Sequence, residues 1–189
     1  MAFDLEEQEQ MENLKAFWER WGKLIIGLTV LAVVGVLGWK GYAYYLNKQS
    51  EKASQIYQTY ATALQKKDAA ADAMLANLQA DYRQSRYTAL ASLDAAQVAL
   101  SEQQWDKALV PLQWLLSNGS LENQAVARLQ IADILAQTAK NDEALKMLET
   151  VPAPEFTIAF ANKKADLYLL MNNNAKARES IEVAIKAVQ

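Results

Sequence analysis

The residues best suited to chemistry in this chain are carboxylates. Asp133 and Asp166 recur at one place in successive repeated segments, and Asp142 stands beside Glu143. Paired acids can work as acid and base or hold a cation. Here the spacing argues for something simpler. Asp142 and Glu143 open a helix, where acids favour the dipole and meet free N–H groups. Cysteine and histidine both count 0, which removes thiol nucleophiles, Cys/His zinc sites, Ser-His-Asp triads and histidine proton shuttles together. Neither a glycine-rich phosphate loop nor a nucleophile elbow is present. The chain reads as a non-enzyme with no metal and no cofactor. With 19 basic against 22 acidic residues, a net charge of −3 and no basic stripe, nucleic acid is a poor partner. Binding to proteins remains.

Asp133 and Asp166 belong to a pattern that begins at Tyr87. The helix starts Asp106-Lys-Ala108-Leu109, Asp142-Glu-Ala144-Leu145 and Ala175-Lys-Ala177-Arg178 align. Twelve residues before each aligned alanine stands Ala96, Ala132 or Ala165, and four after it stands Leu112, Leu148 or Ile181. Small, then small, then large at this spacing is the tetratricopeptide (TPR) packing code, whose usual period is about 34 residues. The paired alanines let two helices of one repeat cross closely, and the large residue fills space against the next repeat. Breaks fall in register at Gln103-Gln104, Ser117 to Ser120, Lys140-Asn141, Val151 to Pro154 and Asn172 to Asn174. Pro111, inside a second helix, should kink it.

In such a solenoid the first-helix positions Leu93, Gln97, Leu129, Asp133, Asn162 and Asp166 face the concave side. They form a candidate partner-binding groove of mixed apolar and acidic character, suited to an extended or basic client. Solvated helix residues, or local salt bridges, are the competing reading. The groove lacks the Lys and Asn cluster that clamps a terminal carboxylate. Trp105 and Trp114 read as packing residues between helices.

The second organising stretch is Leu24 to Trp39, in which ten of sixteen residues are Leu, Ile or Val and none is charged. As a helix it spans ~24 Å, a little short of the ~30 Å hydrocarbon core. Lys23 and Lys40 can snorkel, and Trp18, Trp21, Trp39, Tyr42, Tyr44 and Tyr45 form a belt at the two ends. The bulky residues after the apolar run are wrong for signal cleavage, so the stretch reads as a retained anchor. Three Lys or Arg flank each side (Lys15, Arg20 and Lys23; Lys40, Lys48 and Lys52), so charge leaves the orientation open. Gly35, Gly38 and Gly41 recur every three residues, a face on which a membrane helix could dock.

The expected organisation is all-α: a single N-terminal transmembrane helix followed by a TPR-like α-solenoid. Residues 1–22 form an acidic tail and amphipathic lead-in, with 1–13 read as mobile, and 23–45 the membrane helix. Residues 46–86 form an irregular capping pair that matches the code loosely through Ala61 and Ala73, and 87–189 the repeats.

These features resemble the ancillary SecYEG translocon subunit family, the YfgM-like proteins with a tetratricopeptide-like domain. The resemblance covers nearly the whole chain. It rests on the acidic tail, on Phe17-Trp18 and Trp21-Gly22-Lys23 before the anchor, and on Leu37-Gly38-Trp39-Lys40 leaving it. Ala53 to Ala63 with Tyr57, Tyr87 to Leu93, and Ala96-Gln97 complete it; beyond Val183 the chain looks abbreviated relative to the family.

The resemblance implies a bacterial inner-membrane protein with a cytoplasmic N-terminus and periplasmic repeats. Its implied partners are SecYEG, a membrane-anchored periplasmic PpiD-like chaperone of the prolyl-isomerase type, and emerging client chains. The implied role is passing newly translocated proteins to periplasmic chaperones, with envelope-stress signalling as a secondary role. The alternative is a TPR scaffold for another envelope complex, in cell division or cytochrome maturation.

Overall fold

Stretches rich in Ala, Leu, Gln and Glu, strong helix formers, are separated here by short polar or proline-bearing breaks, and helices follow. The computed structural model describes residues 2–188, with side chains described at Met11 and Lys15 and from Phe17 onward. Along the chain run α1 (Ala2–Gln65), α2 (Ala70–Asp81), α3 (Arg86–Ser101) and α4 (Trp105–Asn118). There follow α5 (Leu121–Gln137), α6 (Asn141–Met147), a 3-10 turn (Pro154–Phe156), α7 (Thr157–Leu170) and α8 (Asn174–Lys186). Two units pack separately, residues 1–48 and 49–189.

In the first unit, α1 is already helical from Ala2. The acidic segment expected to be a mobile tail is therefore regular helix. Glu, Gln, Met and Leu are good helix formers, and acids in the first turns complement the dipole. The apolar stretch presents its side chains outward, with Leu31 at 72% and Trp39 at 76% exposure. Its most apolar window has mean hydropathy 2.0 and is 6% buried within the structure, so it is no core helix. By length and composition this helix is fit to cross a membrane once.

The second unit is built from helix pairs, and its turns reveal the register. Four non-glycine residues have left-handed φ: Lys67 (55°), Gln103 (57°), Ala139 (60°) and Asn172 (57°). Each ends the first helix of a pair. The residue after each donates its N–H five residues back: Asp68 to Ala63 O, Gln104 to Ala99 O, Lys140 to Leu135 O and Asn173 to Tyr168 O, at 2.8–2.9 Å. This is the Schellman closure, repeated four times, and it satisfies carbonyls that the helix end would otherwise orphan. Three helix starts are capped by side chains: Ser85 Oγ accepts from Tyr87 N, Ser120 Oγ from Asn123 N, and Asn173 Oδ1 from Lys176 N.

The pair α1–α2 thus shares its turn with the others. Counting from Lys67 as from Gln103, Tyr60 stands where Ala96 stands. The turn into α2 is one residue shorter, with Ala71 N–H donating to Asp68 O where Ala108 donates to Gln104 O, so buried Ala71 takes the place of Ala108. Ala61 and Ala73, the residues that suggest a loose match, lie one and two positions off, and Ala73 is exposed. A tyrosine at the small position hides the register from a search for paired alanines.

Elsewhere the code describes the packing. Ala96, Ala108, Ala132 and Ala144 are 0% exposed, and Leu112 and Leu148 are likewise fully buried. Burying one such leucine contributes about 1.5–3 kcal/mol. Ile181, in the same place on α8, is 42% exposed, because no helix among the described residues sits on it. α4 runs unbroken through Pro111, which is itself buried. Trp105 and Trp114 pack, half-buried, against the cluster around Leu112, Leu115 and Ile131.

Candidate functional site

The first helices of the repeats, α3, α5 and α7, carry the six predicted groove residues. Gln97, Asp133, Asn162 and Asp166 are exposed. Leu93 and Leu129 are half-buried against the two neighbouring cores, so they support the face more than they offer it. Asp133 is engaged: Lys163 Nζ lies 2.7 Å from its Oδ1, linking α5 to α7. The pair runs between successive repeats, and the Asp133 side chain keeps 51% of its exposure. Asp166 makes no such pair among the described residues. Lys163 itself escapes a sequence reading, although it stands three residues before Asp166 on α7.

A second feature has no counterpart in the sequence pattern. Between the capping pair and the first alanine-coded repeat lies a cavity of about 550 Å³, whose walls include Leu64, Leu75, Val98, Val110 and Pro111. The bulk of Tyr60 at the small position accompanies this gap. The Tyr60 hydroxyl donates to Ala91 O at 2.9 Å, and Tyr57 donates to Asp94 Oδ2 at 2.8 Å, so the capping pair is tied to α3 by polar as well as apolar contacts. Burial pushes the Tyr60 hydroxyl above the ordinary tyrosine value, with the charges of Asp94 and Asp72 adding to it. At the rim, Lys67 donates to Glu102, holding the lysine up and the glutamate down relative to their ordinary values.

The short helix α6 is held from outside. Arg128 of α5 donates through Nη1 to Met147 O at 3.1 Å, placing a cation on a helix C-terminus where carbonyls are unsatisfied. Asp142 and Glu143 occupy its first turn, as a structural role requires. Among the described residues no group of three or more His, Cys, Asp or Glu could hold a metal ion.

In the first unit, a Cβ built on Gly35, Gly38 or Gly41 would meet nothing within 4 Å. The stripe is open along one side of the apolar helix.

A family model for the tetratricopeptide repeat-like domain matches residues 15–189, taking in the apolar helix as well as the repeats. The "Ancillary SecYEG translocon subunit" of Neisseria gonorrhoeae is 32% identical over 98% of this chain and 90% of its own length. The chain belongs to the ancillary SecYEG translocon subunit family. Proteins of the same name in Haemophilus influenzae and Escherichia coli K12 are 26% and 29% identical, over 97% and 96% of this chain and 91% and 88% of theirs. No solved structure matches the chain. The family model and the alignment with the Neisseria relative both take in the apolar helix and the repeats of this chain.

Proposed function

We propose that this protein is a membrane-tethered TPR adaptor that associates with the SecYEG translocon and helps pass newly translocated proteins to periplasmic chaperones. One observation carries the reading: relatives named as ancillary SecYEG translocon subunits align with the anchor and the repeats alike. The anchor, residues 23–45, holds the repeats at high effective concentration near the channel, so weak contacts suffice. On this reading residues 1–22 are cytoplasmic, while the capping pair 46–86 and the repeats 87–189 are periplasmic, in the inner membrane of a bacterium.

The open stripe of Gly35, Gly38 and Gly41 is the contact proposed for a membrane helix of the channel, since small residues allow close backbone approach. The exposed first-helix residues Gln97, Asn162 and Asp166, with Leu93, Leu129 and the paired Asp133, form the proposed contact for a membrane-anchored PpiD-like chaperone or emerging clients. The test is recovery of SecYEG with the tagged chain from mild detergent. Gly35→Leu with Gly38→Leu should lose the channel while the repeats keep their helical signal. Undiminished recovery would remove the glycine stripe as the contact, and no recovery even with the unaltered chain would refute the translocon reading.

A further inference from the structure

Leu148 shows how one repeat receives the next. It is buried in a cluster with Phe160 and Leu167 of α7, and the same helix supplies Lys163 to Asp133. This covering helix brings two large apolar residues seven apart and a cation three residues after the first, where α5 brings Ala127 and Ile134 to the cluster of Leu112. In the preceding repeat the places of Asp133 and Lys163 are taken by Gln97 and Gln130, both neutral.

The next slot in this series is empty among the described residues. Ile181 stands where Leu148 and Leu112 stand, and Ile185 continues its face at 55% exposure. Asp166 stands where Asp133 stands, exposed and without an ion pair among the described residues. An apolar helical stripe and an unpaired carboxylate thus occur together at the two positions that α7 satisfies one repeat earlier.

We infer that the outer face of α8, with Asp166 of α7, is a docking site for an amphipathic helix of a second protein bearing large apolar residues at i and i+7 and Lys or Arg at i+3. The inference rests on the adaptor reading and specifies what one partner must present. The incoming helix covers Ile181 and Ile185 as α7 covers Leu148, and its cation meets Asp166. Apolar burial supplies affinity and the charge supplies register, since a like charge opposite Asp166 is repelled.

The test uses the full chain in detergent micelles and, as probe, a fluorescent peptide of residues 157–170, whose sequence already fills the equivalent slot. Saturable binding is expected, weakened about tenfold or more by Ile181→Lys. Asp166→Lys should weaken it comparably, and a peptide carrying Glu in place of Lys163 should restore binding to that variant alone. Both positions are exposed, so the variants should keep the parent's circular dichroism. Absent binding, or binding indifferent to both variants, overturns the inference.

Because the chain has 0 cysteines, Ile181→Cys provides a single reporter thiol. Rapid maleimide labelling, slowed by the peptide, is expected. Slow labelling of the free protein would mean that its own chain covers the face, and disulfide-linked dimers of the Ile181→Cys variant would give the face to a second copy; either overturns the proposal. No peptide binding to the unaltered chain, with SecYEG recovery intact, refutes this inference and leaves the adaptor reading standing.

Discussion

The Tyr60 hydroxyl donates to the Ala91 carbonyl oxygen at 2.9 Å, joining the capping pair to the first alanine-coded repeat from inside its core. Tyr60 is 1% exposed and occupies a position that the other repeats fill with alanine. Removing the hydroxyl alone, Tyr60→Phe, should cost about 1 kcal/mol. Removing the ring, Tyr60→Ala, should cost about 3–5 kcal/mol by leaving a cavity. Chemical unfolding of the full chain in micelles, followed by helical ellipticity, measures both.

The same tyrosine governs behaviour in alkali. Burial raises the Tyr60 hydroxyl, and Tyr57 is raised first by its hydrogen bond to Asp94 and then by burial. Both protons are held more tightly in the folded than in the unfolded chain. Their contribution is therefore complete below the ordinary tyrosine pKa of about 10 and is lost as the pH climbs through the raised values. The unfolding midpoint should fall steeply above that pH. In Tyr60→Phe the fall should be shallower, a difference visible in melts taken across the alkaline range.

Ala139 holds a left-handed backbone with φ of 60° while carrying a Cβ. Ala139→Gly should stabilise the protein by about 1 kcal/mol, since the strain of an alanine there exceeds the chain entropy that glycine adds. Asn172 tolerates the conformation better, so Asn172→Gly should gain less. Paired thermal melts give the order.

The packing code separates positions that look alike in sequence. Ala132→Leu, at a fully buried crossing, should destabilise by about 1–3 kcal/mol through overpacking. Ala73→Leu, on an exposed face of α2, should change stability by less than about 0.5 kcal/mol. Equal effects would contradict the register set by the four turns.

These contrasts show what a single sequence makes legible. The alanines at 96, 108, 132, 144, 165 and 177 announce three repeats because a close helix crossing admits little else. Leu24 to Trp39 announces a membrane helix because only lipid suits an apolar helix exposed on all sides. The first repeat is obscured because its register lives in backbone geometry at Lys67, where a lysine gives no sign of a left-handed turn. The acidic segment reads as irregular only when charge is given more weight than its helix propensity. At the candidate site, the spacing makes Asp133 and Asp166 equivalent and conceals their difference. That difference depends on Lys163 reaching back one repeat, a contact between helices that spacing within one helix cannot reveal.

On the proposed adaptor reading, one face of the anchor meets the SecYEG channel while the repeats meet chaperones or clients. In-cell photo-crosslinking tests it most directly, with probes at Gly35 and Gly38 and at Gln97, Asn162 and Asp166, read by mass spectrometry. The account predicts channel subunits at the glycine positions and a periplasmic chaperone or emerging chains at the repeat positions. Crosslinks at both sets to a single folded complex of cell division or cytochrome maturation, with no channel subunit, would contradict it.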